Sequence, residues 1–149
     1  MKGPVDNPEF TVKGSVVLGL YRKEGNSGVP VPPGSTLAPQ DVLRFEVKAA
    51  ASGFVAVLSR DGRGTASVYH PFAGEEAAAY DATQPVLPDA IELDDTLGHE
   101  DVYALYSPQP FELMWAVQAL RQGRLVEEAA SRHISVGHVS FEKGPPAQK

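Results

Sequence analysis

Histidines and carboxylates are the residues of this sequence that most resemble catalytic or metal-binding groups. His99 and Glu100 begin a pattern found on the helices of zinc proteases, but Tyr103 stands where the second histidine is needed. The other histidines share a metal only if the fold brings them together; they are His70, His133 and His138. The sequence therefore predicts no metal site.

Acidic residues crowd the segment between Asp89 and Asp101. Carboxylate oxygens suit calcium, but this segment lacks the glycine-punctuated Asp-x-Asp pattern of a calcium-binding loop. We interpret the segment as the solvated end of a strand. Its Asp94-Asp95-Thr96 run is typical of a turn in which side chains bind nearby backbone amides.

Two further motifs fail their structural requirements. Ser59 lies in the run LSRDG, which is not the Gly-x-Ser-x-Gly elbow of a nucleophilic serine. Gly62-Arg63-Gly64 begins a dinucleotide-binding pattern, but its third glycine is missing and a strand follows where a helix is required. The sequence therefore predicts a chain that is not an enzyme and holds no cofactor.

Composition narrows the classes of partner. The 149 residues carry a formal net charge of -6 and include no cysteine, which excludes disulfides and thiolate ligands. Acidic chains with scattered Lys and Arg are poor binders of nucleic acid, so we expect no nucleic-acid partner. There is no apolar run long enough to span a bilayer.

Aromatic residues are the remaining candidates for function. Tyr and Trp present rigid contact area with a polar tip, so they suit recognition surfaces. We expect binding residues among Trp115, Tyr69, Phe72 and Tyr80, with Trp115 on the flank of a helix as the best exposed contact. The alternative is that these side chains pack the sheets and the helix together.

These side chains must be positioned by a sheet, and its centre is the run FVAVLSRDGRGTASVYHP, from Phe54 to Pro71. Apolar residues occupy both phases of its first half, which is typical of a strand covered on both faces. Asp61, Gly62 and Gly64 supply the turn of a hairpin. The pattern predicts a hairpin at the centre of a sheet.

The rest of the chain alternates in the same way. Strands are predicted at residues 11–22, 41–48, 101–107 and 131–142, the last with a bulge at Gly137-His138. A pair of strands is predicted across residues 85–94, where Pro88 limits the first of them to an edge position. Residues 23–40 hold four prolines and are predicted to be a loop. One helix is predicted from about Pro110 to Gln122, with Gly123 closing it.

Together these elements predict a mainly β protein, an antiparallel β-sandwich of about seven or eight strands with one packed α-helix. Residues 1–10 are predicted to be an irregular leader or linker remnant, residues 11–142 a single domain and residues 143–149 a disordered tail.

Several runs resemble an uncharacterised bacterial domain family common in myxobacteria-like proteobacteria. They are VVLGLYRKEG, LAPQDVLRFEV, GFVAVLSRDGRGTASVYHP, LPDAIELDDTLG and VYALYSPQPFEL. Members of that family often lie at the C-terminal end of envelope proteins whose N-terminal part looks like a zinc-finger anti-sigma-factor module. The resemblance implies a periplasmic or cell-envelope location, with the cytoplasm as the alternative, and it assigns no catalytic residue.

The expected function is a non-enzymatic sensory or protein-interaction module of a larger bacterial regulatory or envelope protein. A protein partner is expected ahead of a small molecule. The alternative is a small-ligand or glycan-binding β-sandwich domain, which would use the aromatic residues around a sheet face or the loop at residues 23–40.

Overall fold

The computed structural model describes residues 16–145, and these form ten strands and two helices. The strands are β1 (Val16–Glu24), β2 (Ser27–Val31), β3 (Thr36–Leu37), β4 (Val42–Ala49), β5 (Gly53–Arg60), β6 (Ala66–His70), β7 (Ala78–Tyr80), β8 (Val86–Glu92), β9 (Gly98–Ser107) and β10 (Ser135–Lys143). The helices are α1 (Met114–Arg121) and α2 (Leu125–Ser131).

The strands form two sheets that pack face to face. The four-stranded sheet has the order β2-β1-β4-β8, and the six-stranded sheet has the order β3-β10-β9-β5-β6, with β7 also paired to β5. Among the described strands, only β3 and β10 pair in parallel. The predicted mainly β sandwich is confirmed. Its strand number exceeds the prediction because β2, β3 and β7 lie in segments that were predicted to be loops; β3 and β7 are only two and three residues long.

The core between the sheets follows the period of the strands. Leu43, Phe45 and Val47 of β4 point inward and are fully buried, as their alternation predicts. Apolar residues of β1, β5 and β9 complete the same cluster. Burial of this continuous apolar layer is the main stabilising contribution to the sandwich.

The predicted hairpin is formed by β5 and β6. Strand β5 is covered on both faces: Val55 and Val57 lie between the sheets, whereas Ala56 and Leu58 pack under the two helices. It pairs with β9 on one side and with β6 and β7 on the other. Strand β5 is therefore central, but β6 is at the end of the strand order.

The hairpin turn uses the residues that the sequence indicated. The Asp61 carboxylate accepts hydrogen bonds from the backbone N–H groups of Arg63 (2.9 Å) and Thr65 (3.0 Å). Gly64 has φ of +82°, a conformation that favours glycine. Gly62 is needed for a different reason: a Cβ there would lie 2.6 Å from the Leu97 carbonyl oxygen.

The predicted helix is present as α1, but it starts later than predicted and a second helix accompanies it. Helix α1 begins at Met114, after Pro110, because the backbone before it is engaged: Ala77 N–H donates to the Phe111 oxygen and Leu113 N–H to the Glu75 oxygen. Gly123 does follow α1 with φ of +71°. A second helix, α2, was not predicted. Both helices pack on the outer face of the six-stranded sheet.

The predicted loop at residues 23–40 contains the strand β2, which pairs with β1. Pro30 lies within β2 and faces Tyr21 across the ladder. Because β2 is an edge strand, a proline there does not interrupt a central ladder. Residues 85–94, after β7, also differ from the prediction of a strand pair: they hold one strand, β8, in which Pro88 lies at the expected edge position.

The predicted bulge in the last strand is absent, because β10 pairs with β9 in continuous register from Ser135 to Lys143. Gly137 instead lets β1 come close: a Cβ on it would lie 3.0 Å from the Val16 carbonyl oxygen. Lys143, assigned to the tail, is the last residue of β10 and is buried. The predicted leader, the start of the first strand at 11–15 and tail residues 146–149 lie outside the described residues.

Candidate functional site

The structure separates the four predicted binding residues. Tyr80 is 4% exposed, packs edge to face on Tyr106, and donates its hydroxyl hydrogen bond to the Val47 carbonyl oxygen. Phe72 lies at the surface with 80% of its area exposed. Tyr80 is therefore a core residue and contributes no binding surface.

Tyr69 is partly buried and packs against the core between the sheets. Its ring stacks on Phe45 of the opposite sheet with centroids 5.7 Å apart, and its hydroxyl donates a hydrogen bond to Glu100. Burial, followed by the negative charge of Glu100, raises the pKa of the Tyr69 phenol far above its ordinary value. Tyr69 thus joins the two sheets, and it lines neither the α1 groove nor the second cleft described below.

Trp115 lines a groove, which we call the α1 groove, of about 1130 Å³ beside helix α1. Its other lining residues come from β6, from the segment before β7, from α1 and from the end of α2: Val68, Gly74, Glu75, Glu76, Glu112, Leu113, Met114, Val117, Gln118, Arg121 and Arg132. Met114 is 66% exposed at its rim. Of the predicted residues, Trp115 is the one that lies in a cleft.

The Trp115 ring is held in place from two directions. The Arg132 guanidinium lies 4.3 Å from the ring centroid, a cation–π contact, and Arg132 also approaches Glu128 to 3.6 Å. Phe111 packs against the ring with centroids 6.4 Å apart. An aromatic side chain fixed in this way loses little conformational freedom when a partner covers it.

Two glutamates face each other at the rim of the α1 groove. Glu76 and Glu112 form an antiparallel bridge. The flanking hydrogen bonds, Ala77 N–H to Phe111 and Leu113 N–H to Glu75, make this a non-hydrogen-bonded pair, in which opposing side chains are closest. Like charges placed opposite one another in this way repel. This edge of the groove therefore carries negative charge, whereas Arg121 and Arg132 bring positive charge to the side lined by helix α1 and the end of α2.

A second cleft, the Tyr21 cleft, lies on the outer face of the four-stranded sheet and has a volume of about 720 Å³. It is lined by Tyr21, Arg22, Lys23, Asn26, Ser27, Gly28, Val42, Arg44, Val86 and Ala90. Tyr21, Arg22 and Arg44 were not predicted as binding residues, although part of the lining belongs to residues 23–40, the segment named for the alternative ligand site. A signal for Tyr21 was present, because the alternation of β1 puts its side chain in the outward phase.

The carboxylate of Glu100 is the most deeply buried charge of the described residues. Lys143 Nζ lies 3.3 Å from Glu100 Oε1, and each side chain is 1% exposed. Lys143 also donates a 2.6 Å hydrogen bond to Asp94, which holds the pKa of that carboxyl below its usual range. Burial lowers the pKa of Lys143, but Asp94 and Glu100 outweigh burial and raise it. This cluster closes one end of the sandwich.

The histidines do not converge on one point. His70 contacts Asp89 at 2.8 Å across the two sheets. His99 and His138 both contact Asp101 on the outer face of β9 and β10, at 3.1 and 2.7 Å. Within residues 16–145, no group of three or more His, Cys, Asp or Glu side chains is arranged to hold a metal ion.

Comparison with known proteins adds no family assignment. No family model, curated protein or solved structure matches the chain at a significant level. No helix in the described part of the chain is long and apolar enough to cross a membrane. The α1 groove and the Tyr21 cleft are accordingly interpreted from their own geometry.

Proposed function

We propose that this chain is a non-enzymatic interaction module that binds a partner protein in the α1 groove. The groove combines a fixed aromatic side chain, Trp115, with the exposed Met114 and an acidic rim. Trp and Met are enriched at the centres of protein interfaces, whose rims are polar. This combination favours a protein partner for the groove.

The observation that carries the proposal is the facing pair Glu76 and Glu112. Among the ion pairs of the described residues, none includes either carboxylate. A Lys or Arg side chain of a partner would relieve their repulsion and gain two charge-assisted hydrogen bonds. The partner segment therefore carries a basic residue next to an apolar anchor that contacts Trp115.

A non-enzymatic role is supported by the position of the one serine considered as a nucleophile. Ser59 is 2% exposed on the inner side of β5 and lines neither cleft. A nucleophile must be reachable by its substrate. The wider context, a sensory part of a bacterial regulatory or envelope protein acting in the periplasm, is proposed from the sequence resemblance alone.

Fluorescence tests the groove directly, because Trp115 is the single tryptophan of the 149-residue chain. The probes are a short amphipathic peptide of leucine and lysine and the same peptide with glutamate in place of lysine. We expect the lysine peptide to shift the Trp115 emission and to move the backbone amide signals of α1 and of Glu75 and Glu76. The proposal is wrong if neither peptide, or both equally, produces these changes.

A single substitution separates binding from folding. Glu112→Gln should lower the affinity for the lysine peptide by roughly threefold, because it removes one exposed charge pair with the peptide. The same change should leave the free chain equally or slightly more stable, by up to about 0.5 kcal/mol, because the repulsion with Glu76 disappears. Glu127→Gln, on the exposed side of α2 and outside the groove, is the matched control.

A further inference from the structure

The outer face of the four-stranded sheet differs from that of the six-stranded sheet. Helices α1 and α2 pack on the six-stranded sheet. On the four-stranded sheet, Val17 is 62% and Val86 is 43% exposed, and no described helix covers them. The Tyr21 cleft therefore lies on an open, four-strand-wide face, which at the usual strand spacing measures about 14 Å across.

Tyr21 is fixed within this cleft. The base of its side chain lies against Gly28 of β2, where a Cβ would meet the Tyr21 Cβ at 3.6 Å. Its hydroxyl donates a 3.3 Å hydrogen bond to Glu46 of β4. Gly28 lies under the Tyr21 side chain, and Gly19 lies under the Glu46 side chain, where a Cβ would meet Glu46 Oε1 at 3.4 Å. The Tyr21 ring, held at its base and at its hydroxyl, is a rigid aromatic surface against which a cyclic ligand can pack.

Positive charge lines the Tyr21 cleft, although the whole chain has a net charge of -6. The cleft is lined by Arg22, Lys23 and Arg44, and the amide of Asn26 lies among them. Arg22 is paired with Glu24. Lys23 and Arg44 make no ion pair with any described residue. Arg44 faces Tyr21 directly across the β1–β4 ladder.

We infer that the Tyr21 cleft binds an oligosaccharide that contains uronic acid units. A sugar ring packs against Tyr21, and its carboxylate accepts hydrogen bonds from the Arg44 guanidinium, whose planar fork matches a carboxylate. The cleft is open, so much of the ligand stays in water, and this suits a hydroxyl-rich molecule that is costly to desolvate. This site lies on the other sheet from the α1 groove and is independent of it.

The experiment uses the full chain and three probes followed by calorimetry and amide NMR signals. The probes are the trisaccharide of galacturonic acid, the neutral trisaccharide maltotriose, and acetate as a bare carboxylate. We expect the acidic trisaccharide to bind at least about tenfold more tightly than either other probe, to move signals of β1, β2 and β4, and to weaken with added salt. Trp115 fluorescence should not change.

Variants assign the roles within the cleft. Arg44→Gln should lower the affinity for the acidic trisaccharide by about tenfold, and Tyr21→Ala should lower the affinity for both trisaccharides. Lys48→Gln is the matched control: it makes the same charge change on the same face of β4, outside the cleft, and should alter affinity by less than about twofold. Circular dichroism confirms that each variant is folded.

The inference is overturned by any of three results. The first is that the acidic trisaccharide does not bind at millimolar concentration. The second is that maltotriose or acetate binds as tightly. The third is that Arg44→Gln and Lys48→Gln weaken binding equally, which would reduce the site to diffuse surface charge.

Discussion

Glu100 and Lys143 form an ion pair that is closed off from solvent at one end of the sandwich. The two residues come from neighbouring strands, β9 and β10, and each side chain is 1% exposed. Glu100 Oε1 accepts no hydrogen bond of good geometry, although Lys143 Nζ is only 3.3 Å away. The pair is therefore held by charge attraction in a site from which water is excluded.

Removing one member of this pair should cost much more than removing both. Lys143→Met leaves the Glu100 carboxylate buried without its cation and should lower the free energy of unfolding by about 3–5 kcal/mol. The double variant Glu100→Leu with Lys143→Met should recover most of that loss. Urea denaturation measures both, with exposed Lys23→Met as control. A single-variant loss below about 1 kcal/mol would contradict the assignment.

Alkaline pH should reveal the environment of Tyr69. Burial and the adjacent Glu100 charge raise the pKa of its phenol, so in the folded chain Tyr69 keeps its proton where an unfolded tyrosine, near pH 10, loses it. The stabilisation is fully present below about pH 10 and declines as the pH rises above it. Absorbance at tyrosinate wavelengths checks this: Tyr69→Phe should remove none of the native-state tyrosine titration, and a loss of titrating signal in this variant would contradict the assignment.

A glycine with little space around it gives a sharp stability test. A Cβ at Gly53 would lie 2.5 Å from the Ser107 carbonyl oxygen and 3.1 Å from Pro108 Cα, and backbone atoms cannot move aside without breaking the β5–β9 ladder. Gly53→Ala should therefore destabilise the fold by about 1–3 kcal/mol.

The comparison variant for that test is Gly28→Ala, whose nearest contact, the Tyr21 Cβ at 3.6 Å, is ordinary packing. It should cost less than about 1 kcal/mol. Thermal unfolding followed by circular dichroism ranks the two variants. Equal losses of stability in the two variants would show that the short distance between a Cβ at residue 53 and the Ser107 oxygen does not cause the effect.

His99 should titrate above the ordinary histidine pKa of about 6.5, because its ring binds Glu142 and, second, Asp101, and both contacts raise its pKa. A raised pKa stabilises the fold below about pH 6.5, and this contribution is lost as the pH rises through the folded value. The ring is about half exposed, so the effect is small and weakened by salt. NMR titration of the His99 ring checks it. If Glu142→Gln leaves the midpoint unchanged, the assigned cause is wrong.

Strands in which the spacing of apolar residues matches the buried faces could be predicted from the sequence. Strand β4 alternates with period two and buries the predicted face, and β5 is apolar in both phases and is covered on both faces. The turn at Asp61 was readable because its carboxylate binds amides only two and four residues away. These features depend on neighbours close in sequence, so residue types and spacing were sufficient to predict them.

Elements whose form depends on distant segments were misassigned. Helix α1 starts late because Phe111 and Leu113 bind the segment before β7, a contact that residue spacing does not indicate. Strand β2 contains Pro30 and exists because β1 offers it an edge. Helix α2 has only two fully buried side chains, Leu125 and Ala129, which is too few to form a periodic pattern.

The candidate sites show the same division. Residue type singled out Trp115, which lines the α1 groove, but it also singled out Tyr80, which is buried between the sheets, and Tyr69, which is partly buried against the core. Two pairs of residues face each other only because separate segments align: Glu76 with Glu112, and Tyr21 with Arg44. Residue types therefore showed which side chains could take part in binding. Which of these side chains meet depends on the tertiary structure, because cross-strand neighbours are set by the register of segments far apart in the chain.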